Sequence, residues 1–162
     1  MATKPVSAVL DADNARFITG GVSIIVSSRN PANLPELVRA QCCRVSRDRR
    51  RISVFVQAAQ AAALLGDVRQ NGRVAVVFTR PSTHRSLQLK GDDAVPARLR
   101  PGDPARVAAY RDAMVTELAG INISEALARA LLGGPDADLV AVEFTPVAAF
   151  VQTPGPDAGR RL

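Results

Sequence analysis

Residues 73–91, RVAVVFTRPSTHRSLQLKG, decide the fold. Arg73 to Arg80 is a near-continuous apolar run, the pattern of a strand buried on both faces. Pro81, Ser82 and Thr83 make a turn. From His84 to Asp92 the pattern alternates, with Leu87 and Leu89 on one face and Ser86, Gln88 and Lys90 on the other. The segment therefore predicts a β-hairpin. Immediately upstream the period changes. In residues 58–70, AAQAAALLGDVRQ, Ala61, Leu64, Leu65 and Val68 recur at helical spacing, and Asn71-Gly72 supplies the stop. Further back, Ile52 to Gln57 alternates as a strand, and Glu36 to Ser46 reads as its partner across a polar turn at Arg47 to Arg51. Arg16 to Ser28 has the β-branched richness of a first strand, with Gly20 and Gly21 permitting a bend, and Arg29 to Pro35 is a loop.

Downstream of the hairpin, Pro101-Gly102-Asp103-Pro104 is a helix start, with Asp103 as cap and Pro104 at the first helical position. Val107, Tyr110, Met114, Leu118 and Ile121 then form one apolar stripe. A shorter helix covers residues 124–132 with Ser124 as its cap, and Gly133-Gly134-Pro135 ends it. Residues 138–152 are the last strand, interrupted by Pro146. The order is β-β-β-α-β-β-α-α-β. Short connections argue for an antiparallel sheet, and closure into a small barrel removes its edges. The alternation is not βαβα, and no G-x-G-x-x-G or phosphate loop is present, so a Rossmann sheet is not expected. The expected fold is mainly β with helices, a six-stranded antiparallel barrel. The expected organisation is an irregular lead-in over 1–15, a single domain over 16–152 and a flexible tail over 153–162.

The chain has 162 residues, enough for one domain, and 47% apolar against 22% charged residues allow a buried core. No apolar run is long enough to cross a bilayer, and residues 1–5 lack a signal-peptide core, so the expected location is cytoplasmic. His84 is the only histidine and Cys42 and Cys43 are adjacent, which leaves no His/Cys metal cluster and no easy disulfide. The two cysteines are read as buried thiols. The net charge of +6 admits an anionic partner, either a phosphorylated small molecule or nucleic acid. Nucleic acid is the less favoured of the two. Arg47, Arg49, Arg50 and Arg51 cluster at one hairpin tip, but no aromatics are interleaved for base stacking.

The residues 73–91 also resemble the central hairpin of the pyridoxamine 5'-phosphate oxidase-like family, the FMN-binding split barrels. In that family a strand following a helix stop leads through a turn into a strand of the type Arg-x-x-x-x-x-Gly, here Arg85 to Gly91. Glu36 to Val56, with Arg39, resembles the family's second and third strands, and the helix at 58–70 its short helix. The resemblance covers residues 16–152. It implies a six-stranded split barrel, a homodimer with FMN at the subunit interface, and an oxidoreductase acting on a small molecule. The alternative is a split-barrel binding module without turnover that holds a flavin, a deazaflavin or haem. The phosphate grip of the true vitamin oxidases, at the start of the short helix, is replaced here by Ala61, Ala62 and Leu64, and their C-terminal Trp has no counterpart.

With FMN in view, the turn arginines acquire a role, because Arg forms paired contacts with phosphate oxygens. Arg80, Ser82, Thr83, His84 and Arg85 supply that chemistry. Ser86, Gln88 and Lys90 share a strand face suited to the flavin ring edge or the interface. Arg39 or Arg44 is expected to reach a phosphate from the second strand, while Tyr110 belongs to core or dimer packing. His84 is read either as a surface residue or as a general acid or base, its ordinary pKa lying near 6.5.

Overall fold

The structure is a computed structural model that describes residues 10–162. The part of the expected lead-in that covers residues 1–9 lies outside the described residues. The remainder is not irregular. Helix α1 (Ala12–Ile18) is capped by Asp11, whose side chain accepts from the Asn14 backbone N–H. Strand β1 (Ser23–Arg29) begins only after it, so residues 16–18, read as strand, are helical. Their β-branched character gave way to the cap and to burial of Phe17 and Ile18.

Strands β2 (Pro35–Val45) and β3 (Ile52–Gln57) lie within a residue of their expected bounds. The short helix α2 (Ala62–Asn71) ends at Gly72, which takes φ 66°. A Cβ there would meet the Asp92 carbonyl oxygen at 2.6 Å, so the position combines a left-handed cap with a close approach that glycine alone satisfies. The deciding hairpin forms as β4 (Val74–Thr79) and β5 (Ser86–Gly91), antiparallel from Val74↔Gly91 to Thr79↔Ser86. Strand β6 (Val95–Ala97) was not foreseen, since three residues with a central proline carry no alternation to read. Helix α3 (Asp103–Ala119) buries Val107, Tyr110, Met114 and Leu118, whereas Ile121 lies beyond its end and is exposed. Helix α4 (Glu125–Leu131) starts on the Ser124 cap as expected. Pro146 splits the expected last strand into β7 (Leu139–Phe144) and β8 (Ala148–Val151).

The strands form one antiparallel sheet of eight, in the order β6-β7-β3-β2-β1-β4-β5-β8. The expected count of six is therefore corrected to eight: β6 is added and the last strand is cut in two. The sheet does not close on itself, because β6 and β8 remain its edges. Residues expected to form a flexible tail return to β8 instead. The Leu162 N–H donates to the Ala149 carbonyl and the Val151 N–H to that of Arg160.

The core is the inner face of this sheet together with the helices packed on it. Ile24 and Val26 of β1, Val76 and Phe78 of β4, and Leu87 and Leu89 of β5 are buried and in register. Helix α3 docks through Tyr110, whose hydroxyl donates to the Val22 carbonyl at 2.8 Å. Gly21 permits that approach, since a Cβ there would lie 2.9 Å from the Ala113 carbonyl oxygen. Between Ala40 and Cys43 the β2–β3 register shifts by one residue, a β-bulge. Both cysteines are buried and free, as expected.

Candidate functional site

The outer face of the sheet departs from the sequence pattern in an informative way. The apolar run of β4 predicted burial on both sides, yet Ala75, Val77 and Thr79 are only half-buried in the single chain. The same holds across the sheet. One cross-strand row reads Arg39, Ile25, Val77, Gln88, Phe150, and the next reads Leu37, Ser27, Ala75, Lys90, Ala148. Leu37 is 62% exposed. A surface of mixed apolar and polar side chains is thus open or half-open to solvent on β2, β1, β4 and β5 and at Phe150 of β8, while Ala148 is buried.

Arg39, Gln88 and Lys90 stand on this face. The Arg39 guanidinium donates to Ser23 Oγ at 2.8 Å, which holds it down along β1. Gln88 Oε1 accepts from Gln152 at 3.5 Å, a long contact that leaves its amide nitrogen available. Lys90 Nζ lies 5.0 Å from the Phe150 ring centroid. Lys90 also lines a cleft of about 520 Å³ together with Ser27, Ser28, Arg29, Arg73 and Asp92. That volume is in the range of small-molecule sites. Among the described residues no carboxylate pairs with Arg29, Arg73 or Lys90, so three cations face the cleft against the single acid Asp92. The two serines are already committed as donors, Ser27 to the Ala75 carbonyl and Ser28 to buried Asp67 at 2.7 Å. Arg29 and Arg73 were missed in the sequence because they sit at strand ends that read as solvated punctuation. The signal available was their common position at one end of β1 and β4.

The turn residues form a second, separate group. Ser82 gives both its backbone N–H and its hydroxyl to Glu117 of α3, which brings a carboxylate to the turn. Thr83 Oγ1 accepts from the Arg85 N–H, and His84 is exposed with φ 58°. Arg80 and Arg85 lie against Phe17 of α1, at 5.5 and 4.2 Å from its ring centroid. Ser86 bridges the two groups in sequence. It is buried, and its hydroxyl contacts Thr79 Oγ1 and the His84 carbonyl at 2.9 Å each.

Arg44 is the clear departure from expectation. It reaches no open anion site but a buried acidic pair, Asp103 of α3 and Glu143 of β7, with Ser53 Oγ at 3.0 Å. Its guanidinium lies 5.7 Å from the Phe55 ring centroid. The cysteines are chemically quiet. Burial raises the Cys42 thiol to about 11 and Cys43 well above its ordinary value. The hydroxyl-free start of α2 is real: Ala61 caps it with no side-chain hydrogen bond. No helix of the described residues is long and apolar enough to cross a membrane.

No protein-family model and no curated protein matches the chain. Solved structures do. HupZ from Group A Streptococcus is 13% identical at a TM-score of 0.55, over 93% of this chain and 100% of that one. An F420 reductase is 13% identical at 0.50, over 86% of this chain and 98% of the other. A pyridoxamine 5'-phosphate oxidase-related, FMN-binding protein from Nostoc punctiforme is 15% identical at 0.45, over 83% and 76%. Identities this low speak of fold alone. At that level the chain shares its architecture with HupZ and the F420 reductase.

Proposed function

We propose that the protein is a homodimeric FMN-binding flavoprotein with oxidoreductase activity toward a small molecule, the cofactor lying on the outer face of β1, β4 and β5 where two subunits meet. The observation that carries this reading is the β4 face. Its sequence is apolar on both sides, as in a strand that is buried twice, while the single chain covers only one side. A second subunit is the covering that removes Leu37 and the remaining exposed parts of Ile25 and Val77 from water, at roughly 25 cal/mol for each Å² of apolar surface covered.

The residues present fit FMN. Lys90, Arg73 and Arg29 supply charge for a phosphate dianion, and charge-assisted contacts of this kind are the strong ones. Ile25, Ala75 and Val77 offer a flat apolar bed for a ring, and the Gln88 amide offers a hydrogen bond to a ring edge. When bound, the flavin ring itself supplies the hydride or electron chemistry. The chain's part is to anchor the anion, present Gln88 and exclude water. Arg39, tied to Ser23, stands at the far end of the same row and is assigned to the ring side or the interface. A second reading is a binding module without turnover that holds a flavin, a deazaflavin or haem; the fold likeness to an F420 reductase supports only its deazaflavin part.

The test is uptake of FMN, followed by absorption and by quenching of its fluorescence, with sedimentation in parallel. The expected particle is twice 17.1 kDa. Lys90→Gln combined with Arg73→Gln weakens FMN by about ten- to a hundredfold, the worth of one charged hydrogen bond or more. A 17.1 kDa particle at micromolar concentration, or a protein that takes up no FMN, removes the reading.

A further inference from the structure

The turn arginines, left over from the cofactor face, carry an inference of their own. Asp13, Arg16, Phe17, Arg80 and Arg85 line a cleft of about 340 Å³ between α1 and the β4–β5 turn. The acid in it is taken, because Asp13 pairs with Arg16 one helical turn along. Glu117, the carboxylate that reaches the turn, accepts from Ser82 and forms no ion pair with either arginine. Arg80 and Arg85 are thereby left without a carboxylate among the described residues. Both lie against the one ring of Phe17, so their charged centres are no more than about 10 Å apart.

Their positions are fixed by the hairpin itself. The Arg80 N–H donates to the Arg85 carbonyl at 2.9 Å, closing the turn, and the Arg85 guanidinium donates to Asn14 Oδ1 at 3.1 Å. Arg80 Nε is buried with no hydrogen-bond partner. Both guanidinium groups line the one cleft, so an anion held there meets both charges. With Asp13 cancelling Arg16, the lining carries two net positive charges, which match a dianion. Guanidinium groups fixed by stacking present their planar forks at little entropic cost, the arrangement suited to phosphate oxygens.

We propose that the cleft between α1 and the β4–β5 turn binds a phosphate-sized dianion through Arg80 and Arg85, at a site separate from the proposed cofactor face. This inference does not depend on FMN binding elsewhere. The site belongs to the free chain and takes inorganic phosphate or the phosphate group of a monoester.

The experiment is calorimetric titration of inorganic phosphate into the full chain at low ionic strength, with and without saturating FMN. Arg85→Ala is expected to weaken phosphate by about ten- to a hundredfold. Arg85→Lys, which keeps the charge and loses the fork, gives a smaller loss. Arg69→Ala, an exposed arginine on α2, leaves it unchanged and controls for bulk charge. Arg85 is exposed, so its replacement leaves the fold intact, as the thermal transition of each variant checks. Binding that is absent from the wild type at millimolar phosphate, or equal in wild type and Arg85→Ala, overturns the proposal. So does a fall in FMN affinity in Arg85→Ala, which would make these arginines the cofactor's own grip. A chain that takes up phosphate but no FMN keeps this site and loses the flavin reading, so the two failures are distinct.

Discussion

Replacing Arg44 with Met should destabilise the protein more than any other single arginine change. The Arg44 guanidinium sits between Asp103 Oδ2 at 2.5 Å and Glu143 Oε1 at 2.7 Å, with Asp103 only 2% exposed and Glu143 11%. After the change Asp103 keeps one partner and Glu143 two, the second being the Ser53 hydroxyl at 3.1 Å. Asp103 still accepts the Arg100 N–H at 2.7 Å, and Glu143 still meets the Arg100 guanidinium at 3.1 Å. Asp103 loses its only ion-pair partner among the described residues, and a buried charge stripped of its partner costs about 3–5 kcal/mol. For a domain of this length that lowers Tm by about 6–20 °C. Urea unfolding followed by far-UV circular dichroism reads the loss as a shift in midpoint at constant slope. The double variant Arg44→Met with Asp103→Asn should recover at least about 1 kcal/mol of it, because the amide needs no counter-charge. A loss under about 1 kcal/mol, unchanged in the double variant, would refute the view that this arginine offsets buried negative charge.

Two further outcomes follow from the titrating groups. Cys42, its thiol raised by burial to about 11, and Cys43, its thiol raised by burial well above the ordinary value, should resist a thiol reagent at neutral pH in the native state and react fully in denaturant; native labelling at the denatured rate would contradict their placement. Burial works against the charge on Asp93, but hydrogen bonds from the Thr145 N–H and hydroxyl, with Arg51, outweigh it and hold Asp93 below its ordinary 3.8. Its contribution is therefore complete above that value and is lost as pH falls through the lower native one, so Asp93→Asn should flatten acid unfolding below 3.8. An acid limb as steep in the variant as in the wild type would show that the carboxylate does not contribute.

What could be read in the sequence was local. The β4–β5 hairpin was legible to within a residue or two because its turn residues and its change of period lie next to each other. The Ser124 cap and the stop at Gly72 were legible for the same reason. What escaped depends on distant partners. Arg44 meets acids 59 and 99 positions away, and nothing near it in the chain says that its charge is answered. Ser82 looked free to bind an anion until Glu117, 35 residues on, was seen to hold it. Helix α1 escaped because Phe17 and Ile18 favour a strand intrinsically and were overruled by the Asp11 cap and by packing. The cleft cations Arg29 and Arg73 escaped because only the pairing of β1 with β4 brings their strand ends together.

The bulge in β2 has a consequence for how the helices are attached. Ala40 pairs with Val56 and Cys43 with Val54, so two residues occupy the place of one and the strand resumes its alternation unchanged on the far side. The supernumerary stretch holds Gln41, whose carbonyl oxygen receives the Arg111 guanidinium of α3 at 3.0 Å and whose amide reaches the Gly133 carbonyl after α4 at 3.3 Å. A chain one residue shorter here keeps every inward and outward side chain of the sheet in its present sense while losing the Gln41 contacts to both helices. Gln41 is thus one tie among several, beside Tyr110 on Val22 and Asp103 on Arg44, and it is the one that can be removed without turning any strand over.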